Sequence, residues 1–195
     1  MKLEKTPIQD LFILHKRIIS DSRGSFTRLF GVDDIKAAGR PMEAVHVNTS
    51  TSSEEGTLRG IHFQYPPFAE AKVVACTAGS IWDVGVDLRP NSPTRFQWFG
   101  VELTPKNGKS LIVPEGFGHA FLTLEPNSTA VYVISSVYSP ENESGIKFDD
   151  PSLSIKWPMQ PKIISDKDMS WAPLETKINE MNTKYGNFPT KGSIN

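Results

Sequence analysis

Two short stretches carry the residues best suited to chemistry. The first is Leu58-Arg59-Gly60-Ile61-His62-Phe63-Gln64, followed by Lys72. The second is Pro114-Glu115-Gly116-Phe117-Gly118-His119-Ala120. Each sets an imidazole in or at the end of a strand beside glycine, with cationic side chains close by. An imidazole can take up a proton near neutral pH. A fixed cation stabilises negative charge as it develops on oxygen. The combination suits removal of a proton from carbon next to a carbonyl in an anionic substrate. Taken singly, each histidine reads as a satisfied structural side chain; the neighbours are what favour chemistry. Of the other two, His15 in His15-Lys16-Arg17 reads as a surface residue, and His46 lies in Val45-His46-Val47-Asn48.

The chain that must position them has 195 residues, enough for one domain with a sizeable core. A net charge of −1 supplies no global field for nucleic acid or an anionic membrane, so an anionic ligand must be held by local charge. A single cysteine, Cys76, excludes an internal disulfide and a cysteine-based zinc site. Its apolar surroundings, Val73-Val74-Ala75-Cys76, read as a buried small hydrophobe. Met1-Lys2-Leu3-Glu4-Lys5 opens no apolar signal segment, and no run reaches the ~20 apolar residues of a membrane span. The expectation is a cytoplasmic protein.

Short β-rich runs punctuated by turn residues fill most of the chain. Strands are expected at 11–19, 25–30, 44–50, 57–63, 71–78, 80–88, 96–103, 110–114, 120–124 and 129–137. In 81–88, Trp82, Val84, Val86 and Leu88 share one face, and Asp83, Gly85 and Asp87 share the other. That polar face either lines a lumen or meets solvent. Tight turns are expected at Ala78-Gly79, Pro105-Lys106-Asn107-Gly108 and Glu125-Pro126-Asn127. Only 32–38 and 175–184 read as helix. Many short strands with close turns predict an all-β sandwich or barrel. The domain is expected over 1–171, with 172–195 a polar surface extension, ragged over its last ten residues.

The motifs closely resemble the dTDP-4-dehydrorhamnose 3,5-epimerase family of the cupin superfamily, from about Ile8 to Trp171. The similar segments include Asp21-Ser22-Arg23-Gly24-Ser25-Phe26, the two histidine stretches, Ala71-Lys72 and Asp83-Val84-Gly85-Val86-Asp87-Leu88-Arg89. They continue through Trp98-Phe99-Gly100-Val101-Glu102-Leu103, Tyr132, Tyr138-Ser139-Pro140-Glu141, Asp149-Asp150-Pro151 and Ser165-Asp166-Lys167-Asp168. The resemblance implies a cupin-type jelly-roll β-barrel with a few short helices, a homodimer, and a cofactor-free epimerase. Its substrate would be a nucleotide-diphospho-4-keto-6-deoxy sugar, epimerised at C3, C5 or both. The setting implied is synthesis of surface polysaccharide, such as O-antigen, or of sugar-decorated metabolites.

By that resemblance His62 is the general base and Asp168 the carboxylate that orients it. Lys72 faces the developing enolate oxygen. Tyr132 returns a proton from the opposite face; a single base would put the proton back where it came from. Arg23, Arg59 and Asn48 hold the diphosphate and its neighbours, through arginine's bidentate fork. His119 and Asp83 form a second polar pair in the pocket. Tyr138 lies against the base or sugar, and Phe26 lines the base site. Read singly, Tyr132 is a strand tyrosine with a satisfied hydroxyl and Asp168 a cap in a C-terminal turn; read together, the set favours catalysis.

Two positions depart from the family pattern. Arg28 stands where glutamate is common, and His46 where glutamine is common. Arg28 offers donors only; if it reads the base it favours the acceptor-rich edge of guanine, and pointed at solvent or phosphate it reads none. No metal is implied, because the His-x-His of metal-binding cupins reads His62-Phe63-Gln64 here. The alternatives are a single-site C3 epimerase or ketoisomerase on a GDP- or CDP-sugar, and a non-catalytic sugar-nucleotide-binding cupin. Retention of His62, Lys72, Tyr132 and Asp168 argues against the last.

Overall fold

In a computed structural model, residues 1–37, 39 and 42–186 are described. Along them run β1 (Lys2–Lys5), β2 (Phe12–His15), β3 (Ile18–Asp21), β4 (Gly24–Thr27), α1 (Val32–Ala37), β5 (His46–Ser52) and β6 (Thr57–Gln64). Then come β7 (Lys72–Ala78), β8 (Ile81–Asp87), β9 (Trp98–Leu103), β10 (Lys109–Val113), β11 (Phe117–Thr123) and β12 (Ser128–Ile134). The described chain closes with β13 (Glu143–Gly145), β14 (Ile163–Ile164), α2 (Asp166–Met169) and α3 (Leu174–Tyr185).

Two sheets face each other. One has the order β1-β2-β10-β7-β12-β5 and the other β13-β6-β11-β8-β9, with β14 added parallel to β6. A separate ribbon is made by β3 and β4. This is the jelly-roll architecture the resemblance implies. Period-two alternation sorts side chains between layers. Inner-face residues of both sheets, among them Val74, Cys76, Leu111, Val101, Phe117 and Phe121, fill the space between them. Trp82, Val84, Val86 and Leu88 all turn outward into a second cluster with Leu174, Met181 and Tyr185. A third cluster, with Leu14, Val73, Ile112 and Val133, lies under Ile35 of α1.

The polar face of β8 meets the lumen rather than solvent: Asp83 and Asp87 are both fully buried. Arg89 neutralises Asp87 through two hydrogen bonds of 2.9 and 2.7 Å and reaches Asp10 at 2.6 Å. Burial pushes the Cys76 thiol up to about 11, so it stays protonated and packs as a hydrophobe.

Several local expectations change. The single strand expected at 11–19 is two strands, broken where Lys16 N–H turns aside to the Gly108 carbonyl at 2.8 Å. The strand expected at 120–124 begins earlier, so Gly118 and His119 lie within β11. β1, β13, β14 and α2 were not foreseen; at four residues or fewer they leave too short a periodic signal. The helix expected at 32–38 is α1, with Ala38 outside the described residues. α3 matches the helix expected at 175–184, and its polar composition hides a buried stripe of Leu174, Met181 and Tyr185. The expected ragged end lies, past Gly186, outside the described residues. Among the described residues no helix is long and apolar enough to cross a membrane.

Candidate active site

A cavity of about 330 Å³ opens between the two sheets. The β6 wall contributes His62 and Gln64; the β5–β12–β7 wall contributes His46, Asn48, Tyr132 and Lys72. Alternation explains the second wall. Lys72, Val74 and Cys76 share the inner face of β7, so the strand passes from cavity to core within five residues. Tyr132 pairs with Asn48 across β12 and β5, which places both at one level.

The first wall needs an irregularity. Arg59 and His62 are three residues apart, so strict alternation would send them to opposite faces. Arg59 pairs with Phe121 while His62 pairs with His119, so β6 carries one extra residue between two partners on β11. That bulge returns both side chains to the same face. Gly60 sits in it with φ +119°, and a Cβ there would come within 2.6 Å of the His119 carbonyl oxygen. Only glycine fits.

His62 Nε2 lies 2.5 Å from Asp168 Oδ1. The other carboxylate oxygen accepts the Gly60 N–H at 3.2 Å. Burial works to raise Asp168, but the His62 contact, its charge and the Gly60 N–H prevail and hold it below the usual carboxylate range. With Nε2–H donating to ionised Asp168, Nδ1 is the ring nitrogen left to take up a proton. Asp168 is not the cap of its helix: Ser165 Oγ caps α2 by accepting the Asp168 N–H at 3.1 Å.

The opposite wall holds a protonated phenol and a tethered cation. Burial raises Tyr132, helped by Glu70 and opposed by the Arg59 charge, so the hydroxyl keeps its proton through neutral pH. Lys72 is buried and paired with Glu70 at 3.0 Å. His119 lies beside His62 on β11 and contacts Asp83 at 2.8 Å, in a closed position with side chains 8% and 0% exposed.

Three polar cavity residues, Gln64, Glu70 and Glu143, were not anticipated. Gln64 is locked by accepting the Ser139 N–H at 2.6 Å and donating to the Phe68 and Val137 carbonyls. Its place two residues after His62 was the available signal, as was that of Glu70 two before Lys72. Glu143 has no such local signal; it arrives by pairing of β13 with β6. Burial raises its carboxyl, but Lys167 at 2.7 Å and the Tyr138 hydroxyl, donating at 2.6 Å, outweigh that and hold it low. Tyr138 is thereby fixed at the cavity edge.

Arg23, Phe26 and Arg28 are not brought to this cavity within one chain. Arg23 and Phe26 sit on the β3–β4 ribbon, where Phe26 is 66% exposed and Arg23 pairs with Asp21 at 2.7 Å. Arg28 follows the ribbon and is exposed. Among the described residues no three His, Cys, Asp or Glu side chains group as a metal-ligand set.

Comparison with known proteins identifies the family. The family profile described as dTDP-4-dehydrorhamnose 3,5-epimerase matches residues 5–176. An enzyme of that name from Shigella flexneri is 40% identical over 171 residues, spanning 87% of this chain and 94% of the relative. A crystal structure of the Bacillus anthracis enzyme with TDP and PPi bound superposes with a TM-score of 0.85 at 39% identity, covering 89% of this chain and 99% of that one. The Legionella pneumophila enzyme in complex with dTDP-4-keto-L-rhamnose gives 0.87 at 34% identity, covering 92% and 96%. With a histidine–aspartate pair, a buried lysine and a protonated tyrosine around a jelly-roll cavity, and likeness over nearly its whole length, this chain belongs to the dTDP-4-dehydrorhamnose 3,5-epimerase family.

Proposed function

We propose that the chain epimerises C3 and C5 of a thymidine-diphospho-4-keto-6-deoxy sugar, without a cofactor. The observation that carries this reading is the placement of base and acid on different sheets. His62 belongs to one wall of the cavity, Tyr132 and Lys72 to the other. A sugar ring between them presents one face to each. His62 removes the proton next to the C4 ketone, and Asp168 stabilises the imidazolium that forms. Lys72 stabilises the enolate oxygen. Tyr132 then protonates the carbon from the other face, which inverts it. The ketone acidifies both neighbouring carbons, so the same groups serve C3 and C5 in turn.

Arg59 and Asn48 serve as the diphosphate-side groups of this chain, and His46 also lines the cavity. We propose further that a second copy brings Arg23, Phe26 and Arg28. A two-stranded ribbon is marginal alone, and β3–β4 exposes Ile18, Ile19 and Phe26. The edge strand β5 exposes Val47 at 67%. Such an edge pairs readily with another chain.

The deciding experiment is turnover in deuterium oxide with mass and NMR analysis of the sugar. Label at both C3 and C5 is expected. Label at one carbon would make this a single-site epimerase, and none at all would leave only a binding role.

A further inference from the structure

The C-terminal helix reaches the candidate base through one indole. Lys177 of α3 holds its ammonium 5.3 Å from the Trp171 ring centroid, and Lys167 of α2 approaches the same ring at 5.8 Å. Both lie within cation–π range. The indole meets the His62 ring edge-on, with centroids 6.3 Å apart and planes at 69°. It also rests on Gly145, where a Cβ would come within 2.4 Å of it. Gly145 is the cross-strand partner of His62. Lys177 donates as well to Ser144 Oγ at 2.9 Å, next to that glycine.

We propose that Trp171 is a positioning residue for the His62–Asp168 pair, held in place by Lys177. The inference rests on His62 being the base. A hydrogen bond to Asp168 fixes one ring atom; the tilt of the imidazole about it is set by what touches the ring. His62 is one-third open to the cavity, so Trp171 supplies a wall on its protein side. Asp168 also needs an external anchor, because α2 has only four residues. Trp171, just beyond it, ties that turn to β13. Lys177 lies just past the 5–176 span of the family match, so residues outside that match complete the brace. A displacement of about 1 Å in a reacting group can cost about 100-fold in rate.

Proton NMR of the free protein tests this without substrate. Imidazole N–H protons bonded to carboxylates resonate far downfield, and two are expected, from His62 and His119. The one missing in His62→Ala belongs to His62. In Trp171→Ala the His62 signal is expected to vanish by exchange while the His119 signal stays. In turnover, kcat should fall about 10- to 100-fold with KM nearly unchanged. Trp171→Phe should restore most of both, and Lys177→Met should show a smaller loss in the same direction. Should Trp171→Ala not fold, Gly145→Ala, which displaces the indole, and Lys177→Met carry the same readouts. A folded Trp171→Ala that keeps both signals and full kcat overturns the proposal, as does loss of both signals together. Wild-type protein that lacks turnover would sink the epimerase reading while leaving the NMR result to stand on its own.

Discussion

His62 and His119 are direct cross-strand partners on β6 and β11, yet their carboxylates come from different parts of the chain. Asp168 reaches His62 from α2 at 2.5 Å, and Asp83 reaches His119 from β8 at 2.8 Å. The His62 side chain is 33% exposed and lines the cavity; that of His119 is 8% exposed. Two similar pairs thus differ in access, and only the first is open enough to meet a carbon acid.

Removing the proposed base, His62, should therefore stop exchange and inversion together. His62→Ala is expected to lose about 10²–10⁴-fold in both turnover and deuterium wash-in. Asp168→Asn should lower kcat while binding substrate nearly normally, since it disturbs tautomer and orientation. Wash-in at the wild-type rate in His62→Ala would remove His62 from the mechanism.

The same pair has a pH signature in stability. Asp168 is held below its ordinary value of 3.8 in the folded protein. Its contribution is complete above that value and is lost as pH falls through the lower folded value. Urea melts at about pH 5 and about pH 3 should show wild type losing more unfolding free energy than Asp168→Asn. Parallel losses would mean that the pairing in the fold does not depress Asp168.

Tyr132→Phe keeps the ring and deletes the hydroxyl. If Tyr132 acts after proton removal, wash-in survives in part while inverted product drops. Isotope analysis of recovered substrate and product separates the two rates. An equal fall in both would assign Tyr132 to binding or structure.

Complementation tests whether the β3–β4 ribbon serves a second copy. Arg23→Glu and His62→Ala chains should each be nearly inactive alone. Mixed and reassembled, they should regain roughly a quarter of wild-type activity, because half of the dimers are hybrids with one intact site each. No recovery despite confirmed subunit exchange would confine each site to its own chain.

Arg28 gives a test of base recognition. TDP, GDP, CDP and UDP affinities should be compared for wild type and Arg28→Glu at one salt concentration. Arg28 is exposed on its own chain, and in the proposed dimer it adds positive charge beside the bound diphosphate, so the substitution should weaken all four alike. A change in their rank order would show that Arg28 reads the base.

What the sequence by itself determined is what backbone stereochemistry makes local. Alternation in β8 already separates Trp82, Val84, Val86 and Leu88 from Asp83, Gly85 and Asp87, and both faces lie where that pattern sends them. Turn residues mark most strand ends, and the motifs around His62 and His119 identify the family. Tertiary structure decided the rest, because it depends on pairings whose register no local period encodes. Asp168 meets His62 only because α2 is held against β6. Arg59 and His62 share a face only because β6 bulges at Gly60 against β11. Glu143 enters the cavity through β13, a three-residue strand without periodic signal of its own. The side chains of the β3–β4 ribbon match the family motif in sequence, yet the fold of one chain carries them away from the cavity, since a ribbon's position is set by what it packs against.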